Sequence, residues 1–95
     1  MQNDNPLFEL GQLCATPGAL EALAAAGARP SEYLTRHIAG DYGDMCLEDK
    51  QENDIAVLSG DGRVFSAYRV NSELKIWIIT ESDRSLTTIL LPEEY

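Results

Sequence analysis

Three short runs rich in β-branched and aromatic residues, separated by turn residues, fill the last third of this chain and restrict its fold more than any other feature. They are Arg63-Val-Phe-Ser-Ala-Tyr-Arg-Val70, Leu74-Lys-Ile-Trp-Ile-Ile-Thr-Glu81 and Ser85-Leu-Thr-Thr-Ile-Leu-Leu91. Runs of this composition and spacing predict three strands joined as a meander. Asn71-Ser72 is short enough to close the first hairpin, and Glu81-Ser-Asp-Arg84 can close the second. Ser66, Tyr68, Thr80, Arg84, Thr87 and Thr88 lie within or beside these apolar runs. That is more polar chemistry than a plain core sheet needs, so the sheet is a candidate site as well as a scaffold.

Upstream, the signals are helical. Thr16-Pro17 has the form of an N-cap followed by proline at the first helical position, where the missing amide donor costs nothing. The helix it opens carries Leu20, Leu23 and Ala24 on one face and stops at Gly27, which can adopt a left-handed C-cap. Pro30-Ser31-Glu32 starts a second helix with an apolar stripe of Tyr33, Leu34, His37 and Ile38, ending at Gly40. Gly40-Asp-Tyr-Gly-Asp44 suits a tight loop held by side-chain-to-backbone bonds. A third helix is expected from about Glu48 to Leu58, with Ile55 and Leu58 inward and Glu48, Asp49, Glu52 and Asp54 near its start, where the helix dipole favours negative charge. Before all of these, Leu7 to Ala15 can supply one short strand, and residues 1–6 are polar and expected to be frayed or disordered. The expected fold is α+β: two or three N-terminal helices, then a three- or four-stranded antiparallel sheet.

Size and charge narrow the function. A chain of 95 residues holds one small domain and leaves no room for separate cofactor and substrate domains. Sixteen acidic residues against seven basic ones give a formal net charge of -9, which opposes non-specific attraction to nucleic acid or anionic membranes. Cys14 and Cys46 are far apart and form no CxxC, and only His37 could join them as a ligand, so no metal site and no cofactor are expected. Free buried thiols, no signal-peptide pattern at the start and no membrane-length apolar run point to the cytoplasm.

Three segments together resemble a family of small bacterial proteins often carried on plasmids and other mobile elements. They are Ala15-Thr-Pro-Gly-Ala-Leu-Glu-Ala-Leu23, His37-Ile-Ala-Gly-Asp-Tyr-Gly-Asp44 and the stretch from Trp77 to Tyr95. Some members of that family are labelled as the M subunit of a type I restriction enzyme. A chain of 95 residues cannot hold a methyltransferase domain, and it carries no glycine-rich nucleotide loop of that kind. A second resemblance is one of layout: helices bearing a histidine, then a sheet whose last strand carries threonines, as in barnase, RelE-type toxins and colicin-type ribonucleases. Those enzymes need no metal. A base takes the 2′-hydroxyl proton, an acid protonates the leaving oxygen, and donors steady the phosphorane charge.

The layout resemblance implies a metal-independent ribonuclease-like domain, or an inactive relative, with RNA as substrate and a site of His37, Arg84, Ser66, Tyr68 and Thr88. His37 would be the acid or base. Arg84, helped by Arg36, would face the phosphate, and Ser66, Tyr68 and Thr88 would donate from one sheet face. The acidity does not fit, since such toxins are usually basic. The plainer reading of His37 is a stripe-edge histidine bonded to Asp41 one turn on. The alternative function is a non-catalytic acidic protein whose surface from Asp41 and Asp44 through Glu48, Asp49, Glu52 and Asp54 binds a basic or nucleic-acid-binding protein. In that role it would act as an anti-defence, nucleic-acid-mimicking inhibitor of a restriction or RNA-guided nuclease. A free sheet edge could also support a homodimer.

Overall fold

The hydrogen-bonding appetite of the strand-rich C-terminal third is met by a four-stranded sheet, onto one face of which the helices pack. The computed structural model describes residues 6–95. The expected fraying at the N-terminus falls mainly on residues 1–5, which lie outside them. The elements are β1 (Gln12–Ala15), α1 (Pro17–Ala25), α2 (Pro30–Ile38), α3 (Leu47–Ser59), β2 (Val64–Arg69), β3 (Lys75–Thr80), β4 (Leu86–Leu90) and a final 3₁₀ turn at Pro92–Glu94. The α+β fold read from the sequence is the one observed.

Within the sheet the order is β1-β4-β3-β2, with the meander antiparallel as expected. The fourth strand departs from the all-antiparallel expectation, because β1 pairs parallel to β4, Cys14 opposite Thr88. No turn links these two strands. Their relative direction follows from the path of the chain through three helices and not from either strand's residues.

Local signals set the helix boundaries. Thr16 Oγ1 accepts from the Ala19 amide at 3.1 Å, and Pro17 occupies the first turn of α1. Thr16 Oγ1 also donates to Glu94 Oε1 at 2.6 Å, and the same carboxylate oxygen accepts from the Leu91 amide at 2.8 Å. The final turn is thereby tied to the positive end of α1, and the bond from Thr16 holds the Glu94 carboxyl below its ordinary range. In α2, Glu32 accepts from the Arg29 amide at 3.2 Å. Gly60, at φ 72°, ends α3 in the left-handed conformation.

The helix-facing side of the sheet carries Val64, Ser66, Tyr68, Ile76, Ile78, Thr80, Thr87 and Ile89, all buried. Ala19 and Leu23 of α1 and Tyr33 of α2 join Tyr68, Ile76, Ile78 and Ile89 in one core cluster; Phe8, Tyr42, Ala56 and Val64 form a second. The other sheet face is partly covered by an aromatic row, with ring centroids 4.9 Å apart for Phe65–Trp77 and 5.6 Å for Trp77–Tyr95.

The outer edge of β2 is sealed by side chain and loop. Phe65 and Ala67 turn their backbone groups away from β3. Asn53, buried on α3, meets the first of them as a strand would: its Oδ1 accepts from the Phe65 amide at 3.0 Å and its Nδ2 donates to the Phe65 carbonyl at 2.7 Å. The Ala67 amide donates to the Tyr42 carbonyl, and the Ala67 carbonyl accepts from the Asp44 amide. Gly43, at φ 78°, lies so close that a Cβ would collide with the Ala67 carbonyl.

Two expectations about side-chain direction are corrected. Ile55 and Leu58, expected inward on the third helix, are 65% and 87% exposed, while Asn53 and Ala56 face the core. The Asn53–Phe65 pairing fixes that rotation of α3, because turning the helix to bury Ile55 and Leu58 would strip the Phe65 backbone of both partners. Cys14 and Cys46, expected buried, are free and exposed, on the edge strand and at the N-cap of α3.

Replacing Asn53 with Ala leaves a buried donor and acceptor unpaired and is expected to cost about 2–4 kcal/mol. Leu58→Ser, on the exposed side of the same helix, should change stability by less than about 0.5 kcal/mol. Urea denaturation of the two variants checks both figures.

Candidate functional site

Three polar residues of the sheet, Ser66, Thr80 and Thr87, form one network with His37. It stands in the last turn of α2, on the stripe that faces the sheet, and exposes no surface. Its Nδ1 lies 2.5 Å from Ser66 Oγ on β2, and its Nε2 lies 2.9 Å from Thr80 Oγ1 on β3. Thr80 Oγ1 is 2.7 Å from Thr87 Oγ1 on β4, which donates to the Leu10 carbonyl at 2.7 Å. Phe8 closes the remaining side, its ring edge-on to the imidazole at 5.1 Å and 88°.

The last acceptor fixes the direction of every proton in this chain. A carbonyl only accepts, so Thr87 gives its proton to Leu10 and accepts from Thr80. Thr80 has then spent its proton and accepts from His37 Nε2–H. His37 is therefore the Nε2–H tautomer, and its bare Nδ1 accepts from the Ser66 hydroxyl. A neutral imidazole satisfies all five groups. Burial away from water pushes the His37 imidazole down to about 4.

In isolation, a serine hydroxyl donating to a histidine nitrogen is the pairing that activates a nucleophile. Here Ser66 and His37 both have zero accessible surface. The far side of the imidazole meets a neutral threonine and no carboxylate. Both side chains are hydrogen-bonded within the core.

The remaining residues expected at the site are distributed elsewhere. Tyr68 is buried on the same sheet face as Ser66, and its hydroxyl donates to the Asp41 carbonyl at 2.6 Å; burial raises its pKa. Arg84 holds a left-handed backbone at φ 61°. It uses its guanidinium on four carbonyls: Gly62 at 2.6 Å, Ser82 at 3.1 Å, Glu81 at 3.2 Å and Ala56, near the C-terminal end of α3, at 3.0 Å. It also lies over the Phe8 ring at 5.7 Å. Those donors face backbone, in a geometry that ties α3 to the β3–β4 turn and complements the negative end of the helix. Thr88 pairs opposite Ile79, on the face of the sheet away from His37. Thr87, at the neighbouring position, is the threonine that joins the histidine network.

Arg36 and Asp41 form an ion pair, Nε to Oδ2 at 2.7 Å, with the guanidinium 4.6 Å over the Tyr68 ring. Asp41 is thus bonded to Arg36, not to His37, and the pairing holds its carboxyl below the usual range. Asp41 also accepts from the Gly43 amide at 3.2 Å, the Asx-type bond that the glycine-rich loop suggested. Asp44 pairs with Lys75 at 3.2 Å. Glu48, Asp49, Glu52 and Asp54 stand exposed along α3 without an ion pair among the described residues. A cleft of about 270 Å³ beside them is lined by Met45, Asp49, Glu52, Asn53, Arg63 and Phe65.

Sequence reasoning missed Asn53, Thr80 and Phe8 as organising residues. Asn53 carried one signal, an amide in the middle of a helix otherwise rich in acids. Thr80 and Thr87 were indistinguishable from ordinary strand formers. No group of three or more His, Cys, Asp or Glu among the described residues is placed to hold a metal ion, and no helix among them is long and apolar enough to cross a membrane. Comparison with protein-family models, with curated proteins and with solved structures finds no match for this chain.

His37 gives stability a pH dependence of known sign. Its folded pKa, about 4, lies below the unfolded value near 6.5, so below pH 6.5 the unfolded chain binds a proton that the folded chain refuses. The stability due to the neutral imidazole is complete above about 6.5 and is lost as pH falls towards 4. Between pH 7 and 5 the loss should be ~2 kcal/mol. Urea titrations at the two pH values test this, and His37→Gln, though less stable, should lose that part of the slope.

Proposed function

We propose that this chain is a non-catalytic acidic interaction protein that binds a basic surface on a partner protein, of the kind that nucleic-acid-binding proteins present. The observation that carries the reading is the contrast between the two candidate surfaces. The histidine network is sealed and satisfied within itself, whereas Glu48, Asp49, Glu52 and Asp54 stand exposed along one helix and form no ion pair among the described residues, with Lys50 on the same helix and Arg63 across the cleft as the cations near them. Four exposed carboxylates on one helix, more than the nearby Lys50 and Arg63 can balance, in a chain of net charge -9, create a local potential that attracts cationic surfaces and speeds encounter with them. Carboxylates along a helix can stand in for the phosphates that such a surface normally meets. Occupying a nucleic-acid site on a restriction or RNA-guided nuclease, as an anti-defence inhibitor does, is the finer form of this proposal.

The ribonuclease reading has one favouring contact, the Ser66–His37 pair. It would require the helix-to-sheet core to open around His37 and expose Phe8, Ser66 and Thr80 together.

A paired experiment separates the two. Immobilised wild-type protein should retain a basic partner at low salt and release it to competing duplex DNA. Glu48→Lys/Asp49→Lys/Glu52→Lys should lose at least tenfold in affinity. Incubation of total RNA with wild-type protein in EDTA, read by sequencing, should show no cleavage. Cleavage by wild type, absent in a folded His37→Gln variant, would instead establish the catalytic reading.

A further inference from the structure

The outward side of α3 carries an apolar stripe that no described residue covers. Leu47, Ile55 and Leu58 are 70%, 65% and 87% exposed. At about 100° per residue they fall within an arc of about 80°, with Gln51 between them, opposite the arc of Asn53 and Ala56 that faces the core. The stripe runs along the helix for about 17 Å, or three turns. Glu48 and Glu52 border it on one side; Asp54, with Lys50 beyond it, borders the other, so the rim is acidic in balance, three carboxylates to one ammonium. The rotation that leaves it exposed is the one the Asn53–Phe65 pairing enforces.

From this arrangement we infer that α3 is a docking surface for an amphipathic, basic helix of a partner protein. The inference rests on the interaction reading above and gives it a face and an occupant. Apolar residues of the incoming helix, spaced i, i+3/i+4 and i+7, would cover Leu47, Ile55 and Leu58. Lysines or arginines flanking its apolar face would meet Glu48, Glu52 and Asp54. The charges select this occupant over a second copy. Pairing two α3 helices would bring the carboxylates flanking each stripe against those of the other, within a dimer of net charge -18, twice -9, whereas a basic helix turns the same rim into attraction. Ile55 and Leu58 supply the buried area, and the acids supply orientation and rate.

The test uses the full chain and three synthetic 18-residue peptides of equal positive charge. One places leucines on a single helical face among lysines and arginines. The second has the same composition with the leucines scattered round the helix, and the third replaces the leucines with serine. Calorimetric titration gives the affinities, and amide chemical shifts map the site. The amphipathic peptide is expected to bind at least tenfold more tightly than either control, with shifts concentrated on residues 47–59. Ile55→Ser/Leu58→Ser, whose side chains are exposed and whose loss leaves the core intact, should weaken it at least tenfold.

If all three peptides bind equally, with Glu48→Lys/Glu52→Lys abolishing binding and the serine variant unchanged, the apolar docking site is overturned while the acidic reading stands. If none binds at low salt, both fall. Self-association of the free protein that disappears in the serine variant would assign the stripe to a second copy and overturn the inference.

Discussion

A buried imidazole that must be satisfied without water is the constraint around which the helix-facing side of the sheet is organised. His37 draws hydroxyls from two strands, and through Thr80 and Thr87 it reaches a third strand and the Leu10 carbonyl in the segment before β1. One proton direction satisfies every member, so α2, β2, β3, β4 and the N-terminal arm are held in a single relative arrangement. Loss of any link would strand a donor or acceptor in the core. Hydrophobic burial supplies the bulk of the stabilising free energy, but it is not directional. The network is what distinguishes this packing from others with similar apolar area.

The outer edge of β2, on either side of Ser66, is held by a different device with the same logic. Asn53 acts as one residue of an added strand along β2, and the Asp41–Asp44 loop acts as the next. An edge that would otherwise present open ladder groups is thereby closed. This closure sets the roll of α3 about its axis. Three large aliphatic side chains are left in water as a result, bordered by carboxylates. A helix whose apolar stripe points away from its own core leaves that stripe open, and this adds a face to the proposal that the chain binds a partner.

Arg84 shows how the same residue type serves two plans. Its cation, its place beside the last strand and its polar neighbours were reason to imagine a phosphate in front of it. The structure gives its guanidinium to four backbone carbonyls, joining the end of α3 to two turns. The donors are the ones a phosphate would use, and the acceptors are peptide groups. Only the positions of the turns, set by the meander, decide between those outcomes.

Residues near one another in the chain determined much of this protein. Thr16-Pro17, Gly27, Pro30 and Gly40 marked helix ends because capping is a local hydrogen-bonding problem, and the three apolar runs paired as the expected meander because short turns leave few other partners. The inward stripe of α2, with His37 on it, was legible for the same reason. What the sequence could not settle depends on groups distant along the chain. The parallel pairing of β1 with β4, the assignment of Thr87 and not Thr88 to the histidine face, and the outward roll of Ile55 and Leu58 each follow from contacts more than ten residues away. Periodicity identifies a face but not its direction. Here a single amide pairing across twelve residues, from Asn53 to Phe65, turned the apolar face of α3 to solvent.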